Sequence, residues 1–194
     1  MTVISKFINM CSLSNMNMMP EFDENGNIPL INSSGIIESD IKEFQDKFVN
    51  AFQSSSTRVK IFKGYLNYCK HLVSFNVPII QWFDGSFTSQ KNDPNDIDFV
   101  THFDGAKLDS LDKHTKNRFY SFGPTKKIKS SYMCHSFFIP IYYEINGELV
   151  DDSKNQIAYW KKHFGHDRKR NPKTIIELNF NELSSFYNVC EKYK

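Results

Sequence analysis

A glycine turn and a pair of aspartates carry the clearest chemistry in this sequence. Gly85 and Ser86 follow the apolar run 79–83, and nine residues separate them from Asp96 and Asp98, which head a second apolar run. Glycine lets the backbone approach a phosphate, and serine adds a hydroxyl and an amide, so such a turn at a helix start can hold phosphate oxygens. Side chains alternate along a strand, so both aspartates face one way and can share a cation. The pattern predicts a site for a nucleoside triphosphate with Mg²⁺ or Mn²⁺.

A metal held in this way suits phosphoryl or nucleotidyl transfer, because it neutralises charge on the leaving pyrophosphate. A purely structural interpretation stays open beside it. Gly-Ser is a common turn, and the carboxylates of the loop 92–96 could serve only to bond the backbone. The separation of the two halves, with apolar strands beside them, favours the chemical interpretation.

This central segment resembles the signature of the DNA polymerase beta-type nucleotidyltransferase superfamily, and more narrowly that of its small, stand-alone bacterial members. The resemblance extends from Met19 to about Leu178. It is carried by residues 19–26, 82–98 and 159–165, together with Arg168, Pro172 and Lys173. The central segment alone relates to chemistry, whereas the flanking segments identify the group.

The resemblance implies an α+β fold, a nucleotidyltransferase-like mixed β-sheet backed by helices, in a single domain over residues 19–194. Residues 1–18 would be a disordered or upstream extension. The implied activity moves NMP from an NTP, with ATP as the first candidate, to a hydroxyl on a protein or RNA. The glycine turn would hold the β and γ phosphates, and the aspartate pair would hold Mg²⁺. Relatives of this size often serve toxin–antitoxin or phage-defence systems.

One part of the superfamily pattern is missing. Its members place a third carboxylate on the strand after the paired aspartates, where it ligates the metal and accepts a proton. The matching strand here has His135 at that position. An imidazole can ligate a metal or act as a base, although it suits Mg²⁺ less well than a carboxylate does. Asp104 and Glu144 are weaker substitutes. We therefore predict Asp96, Asp98 and His135 as the catalytic residues.

Three residues near the turn have less specific patterns. Lys91 lies in the loop where relatives often carry a basic residue that can touch the triphosphate, and we predict that it binds nucleotide; a mobile loop lysine is the alternative. Asp84 is predicted to orient the turn through the backbone. Trp82 is predicted to lie in the core, on the opposite side of its strand from Phe83.

Charge is unevenly distributed along the chain. Residues 1–104 hold 8 Lys and Arg against 12 Asp and Glu, whereas residues 105–194 hold 16 against 10. This asymmetry suits a cleft with carboxylates on one wall and phosphate-binding cations on the other, or a groove for nucleic acid. The basic clusters are 126–129, 161–162 and 168–173. A solvated surface is the alternative for each.

Two other functions stay open. A non-catalytic module could keep the fold and bind nucleotide, a protein or nucleic acid, and the missing carboxylate favours it. A nucleic-acid-binding protein without a nucleotide site depends on the basic half alone, and a steep loss of affinity with salt would identify it.

Length and composition set wider limits. The 194 residues, 40% hydrophobic and 15% aromatic, are enough for one sizeable core. The sequence contains no apolar run of about 18 residues, the length that would predict a membrane span, and its start does not have the pattern of a signal peptide. We therefore expect a cytoplasmic protein without a membrane partner. The four cysteines lack Cys-x-x-Cys spacing, which predicts reduced thiols. Exposed aromatic residues could support a homodimer.

Periodicity predicts the order of the elements. Helices are expected over 39–52, 58–73, 108–119 and 155–164, and strands over 77–83, 97–103, 132–145 and 174–178, before a last helix. The first helix presents Ile41, Phe44, Phe48 and Phe52 on one face; the second presents Val59, Phe62, Leu66, Cys69 and Leu72 or Val73. These two helices should back the sheet.

Overall fold

The computed structural model describes residues 19–180 and 183–193. The described part contains five strands and seven α-helices, which are, in chain order, β1 (Ile36–Ser39), α1 (Ile41–Gln45), α2 (Arg58–Val73), β2 (Ile79–Asp84), β3 (Ile97–Asp104), α3 (Gly105–Asp109), α4 (Lys113–Tyr120), α5 (Lys126–Tyr132), β4 (Cys134–Ile141), α6 (Asp151–Phe164), β5 (Ile175–Asn179) and α7 (Leu183–Glu191). A π-helical turn, Asp46–Asn50, continues α1. The expected extension, residues 1–18, lies outside the described residues.

The five strands form one mixed sheet in the order β1-β5-β2-β3-β4. The outer pairs, β1 with β5 and β3 with β4, are parallel, whereas β2 runs antiparallel to both of its neighbours. Helices and strands belong to one domain, so the predicted α+β class and mixed sheet are confirmed.

The two faces of the sheet carry different cores. The larger core contains α1, α2 and the inward face of the central strands, where Phe44, Tyr65, Phe83 and Phe99 pack as neighbouring rings. The opposite face carries a smaller core that includes Trp82, Val100 and Trp160 of α6. We call this second side the α6 face. Trp82 is 3% exposed and lies on the other side of β2 from Phe83, as predicted.

The helices that back the sheet follow the predicted pattern closely. Helix α2 has the predicted bounds, and its predicted core residues are buried except Val59, which is 54% exposed. Helix α1 begins after Asp40, whose carboxylate accepts a hydrogen bond from the Glu43 amide at 2.7 Å. Its π-helical continuation ends at Asn50, so the prediction of a helix reaching Phe52 was too long.

Some elements were missed or divided by the structure. Strand β1 was not predicted, because four residues that pair with the distant β5 give no clear period. The helix expected over 108–119 is two helices, since Asp112 accepts from the Thr115 amide at 3.0 Å and starts α4 anew. Helix α5 was not predicted as a helix, because Ile128 is its one fully buried apolar residue.

The strand expected over 132–145 is shorter than predicted. β4 ends at Ile141, and Tyr143 then pairs with Leu149 in a tight turn around Gly147, which has a φ of 82°. No helix in the described part of the chain is long and apolar enough to cross a membrane.

Candidate functional site

The glycine turn begins where β2 and β3 stop pairing. Asp84 and Asp98 are the last partners of this antiparallel ladder. Gly85 follows with a φ of 79°, in the left-handed region that favours glycine. A Cβ atom on Gly85 would overlap Oδ2 of Asp98 and lie 2.9 Å from its Cγ. The glycine is therefore required both by its backbone angle and by the approach of the Asp98 carboxylate.

Two of the predicted catalytic residues, Asp98 and His135, are in contact, although this pairing was not itself predicted. The two residues are register partners on the parallel strands β3 and β4. Nδ1 of His135 lies 2.8 Å from Oδ1 of Asp98, and 43% of the His135 side chain is exposed. The carboxylate can thus hold the imidazole through Nδ1 and leave Nε2 available for a proton transfer.

The second predicted aspartate meets a lysine from α5. Nζ of Lys129 lies 2.6 Å from Oδ2 of Asp96. Helix α5 can come this close because Gly64 of α2 has no side chain, and a Cβ there would overlap the carbonyl oxygen of Tyr132. Lys129 belonged to a predicted basic cluster, although its contact with Asp96 was not foreseen.

Asp84 has a different role from the predicted one. Its carboxylate forms an ion pair with Nζ of Lys173, which is 6% exposed and lies two residues before β5. The prediction that Asp84 orients the turn through the backbone was therefore wrong: a buried ammonium group holds it instead. Asp84 and Lys173 extend the site to the neighbouring strand β5.

The charges of two neighbouring carboxylates act on Asp98. Burial raises the pKa of Asp98, and the negative charges of Asp96 and Asp84 raise it further, whereas the hydrogen bond from His135 acts in the opposite direction. Like charges raise a pKa in this way only when they are close together. The edge of the sheet at Asp98 is thus an acidic cluster in which Asp84, Asp96 and Asp98 each have one cationic or imidazole partner.

The loop after the turn is held by a buried arginine. Arg58 donates hydrogen bonds to the carbonyl oxygens of Phe87, Ser89, Lys91 and Asn92 at 2.6–3.2 Å. The segment is a series of turns and bends, which agrees with the turn and loop predicted between the two strands, and no helix begins there. A loop backbone held in this way fixes the position of the turn relative to Asp96.

Two predicted nucleotide-binding residues occupy this loop. Ser86 is half-buried beside Gly85, and its carbonyl oxygen accepts from the Ser89 hydroxyl at 2.9 Å. Lys91 is exposed, and within the described residues its ammonium forms no hydrogen bond or ion pair. The structure thus holds Ser86 in the turn directly after Gly85 and leaves Lys91 on the exposed side of the loop.

The substitutes considered for the missing third carboxylate lie elsewhere. Asp104 is six residues along β3 from Asp98, about 20 Å away in a strand, and its carboxylate accepts from the Lys107 amide at 2.8 Å. Glu144 lies beyond the end of β4 and is exposed. Neither reaches the acidic cluster, so His135 is the residue that occupies that place.

The side chains at this site are of the type that binds a hard divalent cation, but they are not arranged around one. Carboxylate oxygens are the ligands that Mg²⁺ prefers, and Asp98 in β3 and Asp96 immediately before this strand supply them. In residues 19–180 and 183–193, however, no group of three or more His, Cys, Asp or Glu side chains is arranged to hold a metal ion. Lys129 and His135 already contact these carboxylates, so a metal would have to replace part of those contacts.

A buried carboxyl group lies one strand from the cluster. Nε1 of Trp82 donates to Oε2 of Glu177 at 2.6 Å. Burial raises the pKa of Glu177 from 4.5 to about 7, and the nearby charge of Glu38 contributes in the same direction. The folded protein therefore binds this proton more tightly than the unfolded chain does.

Stability should consequently fall as the pH rises between about 4.5 and 7, and then level off. We expect Glu177→Gln, which keeps an acceptor for Trp82, to be more stable than the parent protein at pH 8 by roughly 1–3 kcal/mol. The difference should nearly vanish at pH 4.5. Urea unfolding at several pH values measures it, with the exposed Glu24→Gln as the control. A parallel pH profile for Glu177→Gln and the parent would contradict this assignment.

Comparison with known proteins gives one match. The model of a family of unknown function, DUF6932, matches residues 20–179. No curated protein and no solved structure matches the chain. The matched range contains all five strands and every residue of the acidic cluster. The membership of the nucleotidyltransferase superfamily stays a prediction.

Proposed function

The chain belongs to the DUF6932 family, and we propose from the site itself that it is a metal-dependent nucleotidyltransferase. It moves NMP from an NTP, with ATP as the first candidate, to a hydroxyl group. One observation carries the proposal: Asp98 lies against the Cα atom of Gly85 while its other oxygen contacts His135. A phosphate-binding turn, a carboxylate and a base are then side by side.

Each residue of the site has a chemical role in this proposal. The Gly85 turn and the Ser86 hydroxyl bind phosphate oxygens. Asp96 and Asp98 would hold Mg²⁺ or Mn²⁺, which when bound would supply positive charge to balance the pyrophosphate that leaves. Asp98 also orients His135, whose Nε2 takes the proton of the attacking hydroxyl as that oxygen becomes the nucleophile. A histidine held by a carboxylate thus takes over the proton transfer that the missing acid would perform.

The lysines at the site support binding of a triphosphate. Lys129 and Lys173 balance the charges of Asp96 and Asp84 within the protein. Their ammonium groups can also bind phosphate oxygens, as point charges with several donors. A nucleotide that binds together with its metal would bring negatively charged phosphates for the lysines and a cation for the carboxylates. Both members of each ion pair would then still have a partner of opposite charge.

Calorimetric titration with each of the four NTPs, with and without Mg²⁺, tests the proposal. We expect binding that requires Mg²⁺ and that weakens at least about tenfold in Asp96→Asn/Asp98→Asn, because the metal then loses its anionic ligands. Asp152→Asn, which removes an exposed carboxylate on α6, is the matched control and should bind normally. If none of the NTPs binds, the enzyme proposal fails.

A second candidate is a module that binds metal nucleotide without turnover. It is favoured by the pairing of each carboxylate with Lys129, Lys173 or His135, since a neutralised cluster is stable without a metal. Pyrophosphate release from Mg-ATP in the presence of total cellular RNA or protein separates the two. Release that is lost in His135→Gln, with binding retained, supports the enzyme; binding without release supports the module.

The biological setting follows from the resemblance and stays a prediction. A toxin–antitoxin or phage-defence role, a cytoplasmic location and a homodimer are all compatible with an enzyme that uses cellular NTP. The acceptor, protein or RNA, would be identified by the label that it receives from α-labelled ATP.

A further inference from the structure

One side of α6 carries exposed aromatic rings beside a lysine. Lys162 and His163 lie one helical turn after Tyr159, and all three are exposed. The rings of Tyr159 and His163 are nearly parallel, with 8° between their planes and 5.9 Å between their centroids. Tyr159 is 59% exposed, so it does not belong to the core, which α6 contacts through Trp160 and Phe164. We call Tyr159 and His163 the ring pair.

Three more cations follow α6 in a short hairpin. Residues 166–172, whose two ends pair with each other, form this basic hairpin. Arg168, Lys169 and Arg170 are exposed at its tip, and within the described residues their side chains form no hydrogen bond or ion pair. The helix dipole explains a cation in the last turn of α6, such as Lys162, but its effect does not extend to the hairpin tip.

The tip of the basic hairpin is held in place by the Asp167 carboxylate. This group accepts hydrogen bonds from the amides of Lys169 and Asn171, both at 2.8 Å, and from the Asn171 side chain at 2.9 Å. Arg170 has a φ of 67°, where glycine or asparagine would be less strained. The turn itself therefore does not require arginine, and the three neighbouring positive charges repel one another. A ligand with several negative charges accounts for both.

The ring pair lies close to the acidic cluster. The imidazole of His135 contacts the ring of Phe137, with 4.7 Å between the centroids, and Phe137 contacts Trp160 at 4.6 Å. Trp160 in turn meets the rings of Tyr159 and His163 at 5.4 and 5.8 Å. Two rings thus separate His135 from the ring pair.

The basic hairpin lies at the same edge of the sheet. The residue that follows it, Lys173, forms the ion pair with Asp84. Asn27 donates a hydrogen bond to Asp167 at 3.2 Å, and the carbonyl oxygen of the residue before Asn27 accepts from the Gln90 amide at 2.8 Å. The hairpin is therefore tied both to the acidic cluster and to the loop that follows the glycine turn.

We propose that this surface binds single-stranded nucleic acid, with bases stacked on the ring pair and phosphates on Lys162 and the basic hairpin. Exposed aromatic rings beside cations hold single strands without reading their sequence. A duplex keeps the faces of its bases inside, and an acidic peptide has no flat faces to stack. The inference rests on the proposed function in one respect: a strand bound here passes two rings from His135, which makes a sugar hydroxyl the acceptor.

Fluorescence anisotropy of a labelled RNA of about 12 nucleotides tests this surface on the full chain. We expect saturable binding that weakens steeply with salt, with about 0.7 in the slope of log Kd against log salt concentration for each phosphate contact. Binding of the RNA, of the DNA of the same sequence, or of both supports the proposal, and the comparison identifies the sugar. The duplex and a polyglutamate of the same charge should bind at least about tenfold more weakly, because neither stacks on the rings.

Two variants separate phosphate contacts from stacking. Arg168→Gln/Lys169→Gln/Arg170→Gln should lower the salt slope by about 2 and weaken binding at least about tenfold. Tyr159→Ser should weaken binding by about five- to a hundredfold and leave the slope unchanged, because stacking releases no counterion.

Lys60→Gln/Lys63→Gln/Lys107→Gln is the matched control, since it removes the same charge from exposed positions of α2 and α3. It should change the affinity less than about twofold. Arg170→Gly relieves the strained backbone, so it should keep or raise the unfolding temperature while it weakens RNA binding.

The binding assay contains no NTP, so its outcome is separate from that of the NTP titration. Four results would each overturn the proposal: no saturable binding of RNA or DNA, polyglutamate that binds as tightly as RNA, a hairpin variant with the salt slope of the control, or full affinity in Tyr159→Ser.

Discussion

Replacing Arg58 with methionine should lower the free energy of unfolding by about 3–5 kcal/mol, the cost of leaving several buried polar groups without partners. The guanidinium is fully buried and donates to five backbone carbonyl oxygens, those of Phe48, Phe87, Ser89, Lys91 and Asn92. Methionine fills much of the same space, but it donates to none of them. The loop that carries the glycine turn would then lose its internal support.

Urea unfolding of Arg58→Met and Arg58→Lys measures this effect. Lysine keeps the charge but lacks the planar fork that reaches several carbonyls at once, so it should restore little of the loss. Lys60→Met makes the same chemical change on an exposed position of α2 and should alter stability by less than about 0.5 kcal/mol. A loss in Arg58→Met as small as that of Lys60→Met would show that the loop does not depend on the guanidinium.

Arg58 shows which features could be predicted from the sequence and which could not. The bounds of α2 were predicted from apolar periodicity, yet the role of its first residue was not. A cation in the first turn of a helix opposes the helix dipole, and that local conflict was a signal of a role outside the helix. Its carbonyl partners in the 87–92 loop lie some thirty residues away, where no pattern links them to α2.

The same distinction holds for the fold as a whole. Elements with several turns of regular apolar spacing were predicted best: α2 has the predicted bounds, and α6 ends at the predicted residue, although it begins at Asp151, four residues earlier than predicted. Elements defined by distant partners or by a single cap were missed: β1 exists through its pairing with β5, and α5 through Thr125, whose hydroxyl accepts from the Ile128 amide at 3.1 Å. Such information is three-dimensional and leaves little trace in local sequence.

For the site, the local motif predicted the central residues and the topology supplied the rest. Gly85, Asp98 and His135 do come together, because β2, β3 and β4 are neighbours. Lys173 and the ion-paired role of Asp84 depend on β5 lying beside β2, which the sequence does not indicate. The motif therefore predicts a catalytic site at this edge of the sheet. The fold adds that Asp84, Asp96 and Asp98 each already have a lysine or histidine partner.

Gly85→Ala should produce the second large effect, because it combines two costs. Alanine at a φ of 79° costs about 1–2 kcal/mol, and its Cβ would also overlap the Asp98 carboxylate. We expect a total loss of about 2–4 kcal/mol in the free energy of unfolding, within the range of strained substitutions. The displaced carboxylate would also leave His135, so NTP binding, if present in the parent, should be lost.

A double-mutant cycle separates the two costs. In an Asp98→Ala background the overlapping carboxylate is gone, so Gly85→Ala should cost only the backbone term, with a coupling of about 1 kcal/mol or more between the two positions. Gly35→Ala is the matched control: Gly35 has a φ of 67°, and a Cβ there meets only the end of Leu30 at 3.4 Å. Its cost should be the same in both backgrounds. Because the cycle measures unfolding alone, additive losses at Gly85 and Asp98 would refute the contact itself, independently of any nucleotide.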